Sequence, residues 1–167
     1  MDATLCQRML MLKETARSGW IRAGVNEPES VADHSWGIAA LALACCPPEL
    51  DIGKVLTLSV IHDLPEVITG DITPHDGISR SDKQRKESLA ADELFQGRPD
   101  LRAHWQEYEQ NQTAEALFVH QLDKLEMGLW ALHLKAQGHC GMEEFVNSAK
   151  SGLRDDHLIR ILERCEK

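Results

Sequence analysis

A small set of histidine and aspartate residues carries the most specific chemical information in this sequence. His34, the adjacent pair His62 and Asp63, and the distant Asp123 offer two imidazoles and two carboxylates. Such a mixed set suits a borderline or hard divalent cation better than a metal that prefers thiolates. Because His62 and Asp63 follow the apolar segment 55–61, where ionisable side chains are costly unless satisfied, a shared metal ion gives a reason for their presence. The sequence therefore predicts a divalent-metal site.

Each of these residues also has an interpretation that needs no metal. A single histidine in the first turn of a helix, such as His34, can pack or cap as a neutral imidazole. Asp123 can pair with its neighbour Lys124 at the surface, although it lies among core-type positions in segment 122–127. Taken together on predicted helices, the four residues favour metal binding over these separate roles.

The elements that must position these residues are helical. Pro65 has no N–H and is expected to kink or end a helix just after the His62–Asp63 pair. Start signals and apolar periodicity predict helices over roughly 3–16, 30–46, 51–63, 79–97, 101–110, 113–138 and from 155 onward. We find no convincing strand, repeat or interdomain linker. The predicted fold class is all-α: a helical bundle of about six to eight helices that forms a single domain over residues 1–167.

Composition and charge limit the class of protein further. At 167 residues the chain can bury a core without disulfides or a structural metal. Its net charge of −9 argues against a surface for duplex nucleic acid, which relies on clustered Lys and Arg. The longest apolar stretch, 38–46, is too short to span a bilayer, and no signal segment is predicted. Five cysteines without a C-x-x-C pair are typical of a reduced, cytoplasmic protein.

The order H…HD…D resembles the signature of the HD superfamily of metal-dependent phosphohydrolases. Longer motifs resemble one subfamily, the HD-domain 5′-nucleotidases, which include the 5′-deoxynucleotidases. These motifs are segments 17–20, 28–35, 62–66, 70–74, 107–109 and 122–127. The resemblance is strongest over residues 10–135 and implies the helical HD-domain fold, usually in a homodimer. It also implies that a metal-bound water removes the 5′-phosphate from nucleoside or deoxynucleoside 5′-monophosphates.

The resemblance assigns roles to single residues. It makes the metal ligands His34, His62, Asp63 and Asp123. Glu66 matches the carboxylate that transfers a proton, and Arg17 with Trp20 match residues that hold and orient the phosphate. The expected cation is Co²⁺ or Mn²⁺, while this ligand set also accommodates Mg²⁺, Zn²⁺, Ni²⁺ or Fe²⁺. A bidentate guanidinium grip on phosphate and a divalent ion that lowers the pKa of water from about 15.7 toward about 7 agree with these roles.

The resemblance extends to the loop that contacts the nucleotide, where Asp71 and Thr73 fall. In some members a second cation is held at the positions of Glu66, Asp71 and the main-chain carbonyl of Ile72. Two departures from the family pattern affect these expectations. Pro65 stands where a small residue is usual and can re-aim Glu66. The loop after Asp71 resembles the eukaryotic members of the family rather than the bacterial 5′-deoxynucleotidase, so Thr73 need not superpose on the residues of the bacterial enzyme that contact the sugar.

Two other functions are compatible with the same signature. Some HD proteins are di-iron oxygenases, which add two histidines between the HD pair and the last aspartate. His75, His104 and His120 occur in that interval, but none has a paired-ligand pattern, so they are expected to be solvated or packed. A non-catalytic nucleotide-binding module is the third candidate, and the presence of Glu66 beside the complete ligand set argues against it.

Overall fold

The computed structural model describes residues 3–167 and contains no strand in that range, which confirms the all-α fold class. Eight of its α-helices have at least eight residues, as many as the upper limit expected from the sequence. The α-helices are α1 (Ala3–Leu10), α2 (Ser18–Arg22), α3 (Val31–Cys45), α4 (Ile52–Ile61), α5 (Glu66–Thr69), α6 (Arg80–Leu94), α7 (Pro99–Glu109), α8 (Ala114–Ala136), α9 (Met142–Gly152) and α10 (Asp156–Cys165). Short 3₁₀ helices cover Met11–Glu14 and Pro74–Asp76.

Side-chain caps fix where most of the long helices begin. The Ser30 hydroxyl accepts the N–H of Asp33, and the Asp33 carboxylate accepts the N–H of Ser30. This capping box starts α3 where the sequence predicted it. Single caps at the start of α4, α6, α8 and α10 are Asp51, Ser79, Thr113 and Asp155. Each satisfies backbone N–H groups that the first turn of a helix leaves without a partner.

Three differences from the predicted elements lie away from the HD pair. The first helix ends at Leu10, and the chain continues as a 3₁₀ turn to an extended Thr15 rather than as α-helix to residue 16. Residues 18–22, expected to be a connection, form α2. The sequence does not predict α9, because the N-cap of this helix, Gly141, has a φ of 79° and no side chain to signal the start.

Helix α8 runs through the centre of the molecule and packs against α3, α4, α7, α9 and α10. Its apolar face is fully buried at Leu122 and Leu125, which pack in one cluster with Ile38 of α3 and Leu58 of α4. Burial of side chains of this size stabilises the fold by about 1.5–3 kcal/mol each. The three helices are therefore held in a fixed relation. Within residues 3–167, no helix combines the length and apolar composition that spanning a membrane requires.

Candidate metal centre

The predicted ligands lie on α3, on α8 and directly after the end of α4. His34 lies in the first turn of α3, and Asp123 lies in the middle of α8. Helix α4 ends at Ile61 and does not continue through the HD pair as predicted, so His62 is its C-cap. The chain turns after His62, and the N–H of Glu66 donates to the carbonyl of Asp63 at 3.0 Å. Although Pro65 precedes Glu66, this residue lines the same cavity as His62 and Asp63.

The structure brings three of the four predicted ligands into one group. The ligand atoms of His34, His62 and Asp63 all lie within 4.8 Å of one another. The Asp63 Oδ2 atom is 3.0 Å from His62 Nε2 and 3.8 Å from His34 Nε2. Asp123 lies beside this group rather than in it: its Oδ1 is 3.2 Å from His34 Nε2, and its Oδ2 accepts from Lys124 at 3.0 Å. Its ligand role stays a prediction.

Both histidines present the same ring nitrogen to this group. Nδ1 of His62 is 2.8 Å from the carbonyl oxygen of Ser59, and Nδ1 of His34 is 2.6 Å from a carboxylate oxygen of Glu126. A carbonyl and a carboxylate only accept hydrogen bonds, so each Nδ1 carries the proton. In the neutral rings, the lone pair of each Nε2 therefore faces the centre. Both Nε2 atoms are buried, and in the neutral rings neither has a hydrogen-bond donor to pair with, because the nearby oxygens of Asp63 and Asp123 only accept.

These buried nitrogens fit a divalent cation. An unsatisfied buried polar atom is costly, and a cation between the two Nε2 atoms and the Asp63 carboxylate would satisfy all three groups. A second group with suitable donors, Glu29, His34 and Glu126, lies on the opposite side of the His34 ring. There Nδ1 and the Glu126 carboxylate already form a direct hydrogen bond. The Nε2 side is therefore the candidate metal centre.

The charges around this centre are set by burial and by neighbouring groups. Burial opposes a negative charge on Asp63, but His62, His34 and Arg17 outweigh it and hold the pKa of Asp63 well below its usual range. Asp123 is affected similarly, with Lys124 and His34 lowering its pKa. Burial also opposes a positive charge on His34, yet the surrounding carboxylates raise its pKa to about 9. The centre thus attracts positive charge.

Arg17 lies next to this centre and is more enclosed than its predicted loop position implied. It is the N-cap of α2, its side chain is 16% exposed, and its Nη1 lies 3.9 Å from carboxylate oxygens of both Asp63 and Asp71. Burial opposes its charge, but these carboxylates raise the pKa of Arg17 above its usual value, so it remains a cation. Trp20 is buried, and its indole N–H donates to Glu29 at 2.8 Å. A phosphate contact through that N–H would have to replace this bond.

The loop after α5 is held against the start of α2. The Asp71 carboxylate accepts the N–H of Ser18 at 2.8 Å, and the Asp71 carbonyl accepts the Ser18 hydroxyl at 2.8 Å. Thr73 caps the 3₁₀ helix that follows, and its hydroxyl donates to Asp76. The carbonyl of Ile72 accepts the ammonium of Lys83 at 2.8 Å. A second cation at Ile72 would have to displace that ammonium.

Glu66 has the surroundings of a carboxyl group that carries a proton. It is 4% exposed, and its Oε2 is buried without a hydrogen-bond partner. Burial, together with the charges of Asp63 and Asp71, raises the pKa of Glu66 well above its usual range. A protonated carboxyl group at this place can donate a hydrogen bond to a bound molecule.

A cavity of about 540 Å³ opens over the centre. Its walls include the predicted residues Arg17, Trp20, His62, Asp63, Glu66, Asp71, Ile72, Thr73 and Asp123. His75 and His120 also line it, but neither they nor His104 belongs to a metal-binding group among the described residues. His120 stacks on Tyr108 instead, with ring centroids 3.9 Å apart. These placements do not favour the di-iron oxygenase.

Fold and site together define a helical protein with a buried histidine–aspartate centre at the base of an open cavity. The chain belongs to the HD domain family, whose model matches residues 9–161. It is 41% identical over 162 residues to the 5′-deoxynucleotidase HDDC2 of Bos taurus, covering 93% of this chain and 79% of that protein. The 5′-deoxynucleotidase HDDC2 of Xenopus laevis is 37% identical over 160 residues, covering 90% and 79% respectively.

A solved structure, that of the PH0347 protein from Pyrococcus horikoshii OT3, shares the architecture. It is 29% identical to this chain, with a TM-score of 0.86 over 99% of this chain and 98% of that one. The family and the all-helical fold implied by the sequence motifs are thereby confirmed.

Sequence reasoning gave no role to several residues that surround the centre. Glu126 lies inside the motif 122–127, three positions after Asp123, and this spacing, which puts both on one helix face, was the available signal. Trp105 donates its indole N–H to the carbonyl of His62 at 3.0 Å, and Lys83 reaches Ile72. Nothing in the sequence indicated these last two contacts, because they depend on how α6 and α7 pack.

Proposed function

We propose that this protein is a metal-dependent phosphohydrolase that removes the 5′-phosphate from nucleoside 5′-monophosphates, deoxynucleotides in particular. One observation carries the proposal: two unpartnered Nε2 atoms face a carboxylate at the base of a cavity that also contains a guanidinium and a protonatable carboxyl group. The substrate class is taken from the relatives named as 5′-deoxynucleotidases. The ligands are His34, His62 and Asp63, with Asp123 as the fourth.

The residues of the cavity have separate roles in the reaction. A divalent ion, when bound, polarises phosphoryl oxygens and lowers the pKa of water. Arg17 holds phosphate oxygens with its planar N–H groups, and its enclosed position limits their movement. Glu66, whose raised pKa favours the protonated form, donates its proton to the 5′-oxygen as a water oxygen bonds to phosphorus and the bond from phosphorus to the 5′-oxygen breaks. Trp20, Asp71 and Thr73 line the same cavity. Asp71 and Thr73 contact the nucleotide, and Trp20 helps to orient the phosphate.

The remaining family properties belong to the same proposal. The ion is Co²⁺ or Mn²⁺, because this donor set suits both and the family resemblance favours them. A second cation at Glu66, Asp71 and the Ile72 carbonyl would have to displace Lys83.

We propose that residues 1–167 form one HD domain and that the protein is a homodimer. We also propose a cytoplasmic location, which the five free cysteines support. Trp36 and Leu43, exposed on α3, offer an apolar surface for the second copy.

Removal of divalent ions is the direct test of the activity. Treatment with EDTA is expected to abolish phosphate release from a panel of ribo- and deoxyribonucleoside 5′-monophosphates, and added Mn²⁺ or Co²⁺ is expected to restore it. Phosphate assays with each ion and each nucleotide measure both effects. If the metal-replete protein releases no phosphate from any nucleotide in the panel, the proposed function is wrong. Oxygen consumption by the iron-loaded protein would point instead to the oxygenase.

Arg17→Lys tests whether the guanidinium of Arg17 binds the phosphate of the substrate. The change keeps the positive charge between Asp63 and Asp71 but loses the planar fork. We expect kcat/KM for deoxynucleoside monophosphates to fall by a factor that corresponds to a loss of about 1–3 kcal/mol of transition-state stabilisation. Arg8→Lys is a matched control, because Arg8 pairs with Glu93 outside the cavity. If Arg17→Lys and the parent protein have equal kcat/KM, Arg17 does not bind the substrate.

A further inference from the structure

The imidazole of His34 lies between two carboxylates of helix α8, one at each ring nitrogen. Nε2 of His34 lies 3.2 Å from Asp123 Oδ1, and Nδ1 lies 2.6 Å from Glu126 Oε2. Asp123 and Glu126 are three positions apart on α8, which places them on one face of that helix. His34 is fully buried and Glu126 is 7% exposed, so solvent does not compete for this contact. The orientation of the ring therefore depends on α8.

We propose that Glu126 is a positioning residue for the metal centre. We also propose that residue 37 is glycine because a larger residue would occupy the space of the Glu126 side chain. Glu126 fixes the proton of His34 on Nδ1, which leaves the Nε2 lone pair directed at the metal. This inference rests on the proposed function only in taking His34 as a metal ligand. A carboxylate that accepts from the second nitrogen of a ligating histidine both orients the ring and increases its basicity.

Gly37 supplies an independent observation. It lies three residues after His34 in the interior of α3, where glycine is less favourable than alanine. A Cβ atom at this position would lie 2.8 Å from Glu126 Oε1 and 3.0 Å from Glu126 Cγ. Real Cβ atoms essentially never have a contact shorter than 3.0 Å, so the contact with Oε1 means that alanine would force the Glu126 side chain to move. The unfavourable residue is thus explained by the space that the carboxylate of Glu126 occupies.

The test measures metal affinity by titrating Mn²⁺ into the metal-free parent protein and its variants in a calorimeter. Glu126→Gln and Glu126→Ala are expected to weaken binding by roughly 10–100-fold with unchanged stoichiometry, because the ligands themselves remain. Nitrogen-detected NMR of the His34 ring in the metal-free protein gives a second readout, recorded above the His34 pKa of about 9 so that the ring is neutral. The parent is expected to carry the proton on Nδ1, and Glu126→Ala to shift the proton toward a mixture of tautomers.

Gly37→Ala has a matched control in Gly128→Ala. Both glycines lie inside helices, and a Cβ at Gly128 would come equally close, 2.8 Å, to Ala149. Gly37→Ala is expected to weaken Mn²⁺ binding, whereas Gly128→Ala lowers the melting temperature and leaves the affinity of the folded protein unchanged. In a Glu126→Ala background, Gly37→Ala is expected to have no further effect on affinity, since there is no longer a side chain to displace.

The possible results separate this inference from the proposed function. Parent-like Mn²⁺ affinity in Glu126→Ala, or an undiminished effect of Gly37→Ala in that background, would overturn the positioning role even if the parent hydrolyses nucleotides. The expected affinity losses without phosphate release from any nucleotide would overturn the proposed function and leave the positioning role intact. A parent protein that binds no divalent ion would overturn the inference, because His34 would then not be a ligand.

Discussion

Glu66→Gln is expected to lower kcat by roughly 10²–10⁴-fold, the usual contribution of general acid–base catalysis, while the protein keeps its metal. Glutamine has nearly the shape of a protonated glutamate, so the buried position should tolerate it. It cannot supply an acidic proton to the departing 5′-oxygen. The raised pKa of Glu66 and its unpartnered Oε2 are the observations behind this expectation.

The measurement pairs steady-state phosphate release with metal content determined on the same samples. Glu143→Gln is a suitable control, because it also removes one carboxylate but lies outside the cavity, paired with Lys135. A kcat near that of the parent in metal-replete Glu66→Gln would assign proton transfer to another group. Pro65, which departs from the family pattern just before Glu66, would then be the first place to look for the cause.

His62→Ala is expected to weaken metal binding by more than the roughly 10–100-fold that loss of an outer hydrogen-bond partner costs. The variant lacks one of the two buried Nε2 atoms that face the centre. Phosphate release should fall with metal occupancy and should not recover at metal concentrations that saturate the parent. Affinity from calorimetry and phosphate release across a range of Mn²⁺ concentrations measure both effects.

His104→Ala is the control for this experiment. His104 is half-buried on α7, does not line the cavity and belongs to no metal-binding group in the described part of the chain. It should bind Mn²⁺ as the parent does. If His62→Ala binds the ion with parental affinity, or if His104→Ala loses it, the centre has been placed at the wrong residues.

The start of each capped helix was predictable, because an N-cap is a local interaction between residues two or three apart. Ser30 and Asp33 specify the start of α3 from the sequence alone, and Asp51 does the same for α4. The end of α4 was placed two residues too late. An apolar run and the proline after it bracket the end of a helix but do not say at which residue the chain turns.

The ligand set was predictable in type but not in arrangement. Family motifs name His34 and Asp123, yet only packing of α8 against α3 brings the two side chains together. The contacts that select the tautomers run from Ser59 to His62 and from Glu126 to His34. The spacing of Glu126 from Asp123 places both on one helix face, but it does not identify His34 as the partner. Arg17 shows the same limit: glycine-containing neighbours predict a loop, while the carboxylates that enclose it come from distant segments.

The hydrogen bond between His34 and Glu126 joins residues 92 positions apart. A centre assembled over such a distance does not exist in the unfolded chain, so an ion bound there is bound by the folded state alone. By mass action, a free ion at 100 times its Kd adds about 2.7 kcal/mol to the free energy of unfolding. That is a large share of the marginal stability of a small domain. An ion that binds this centre would therefore act as a folding ligand, and the amount of native protein would follow the supply of metal as well as the rate of synthesis.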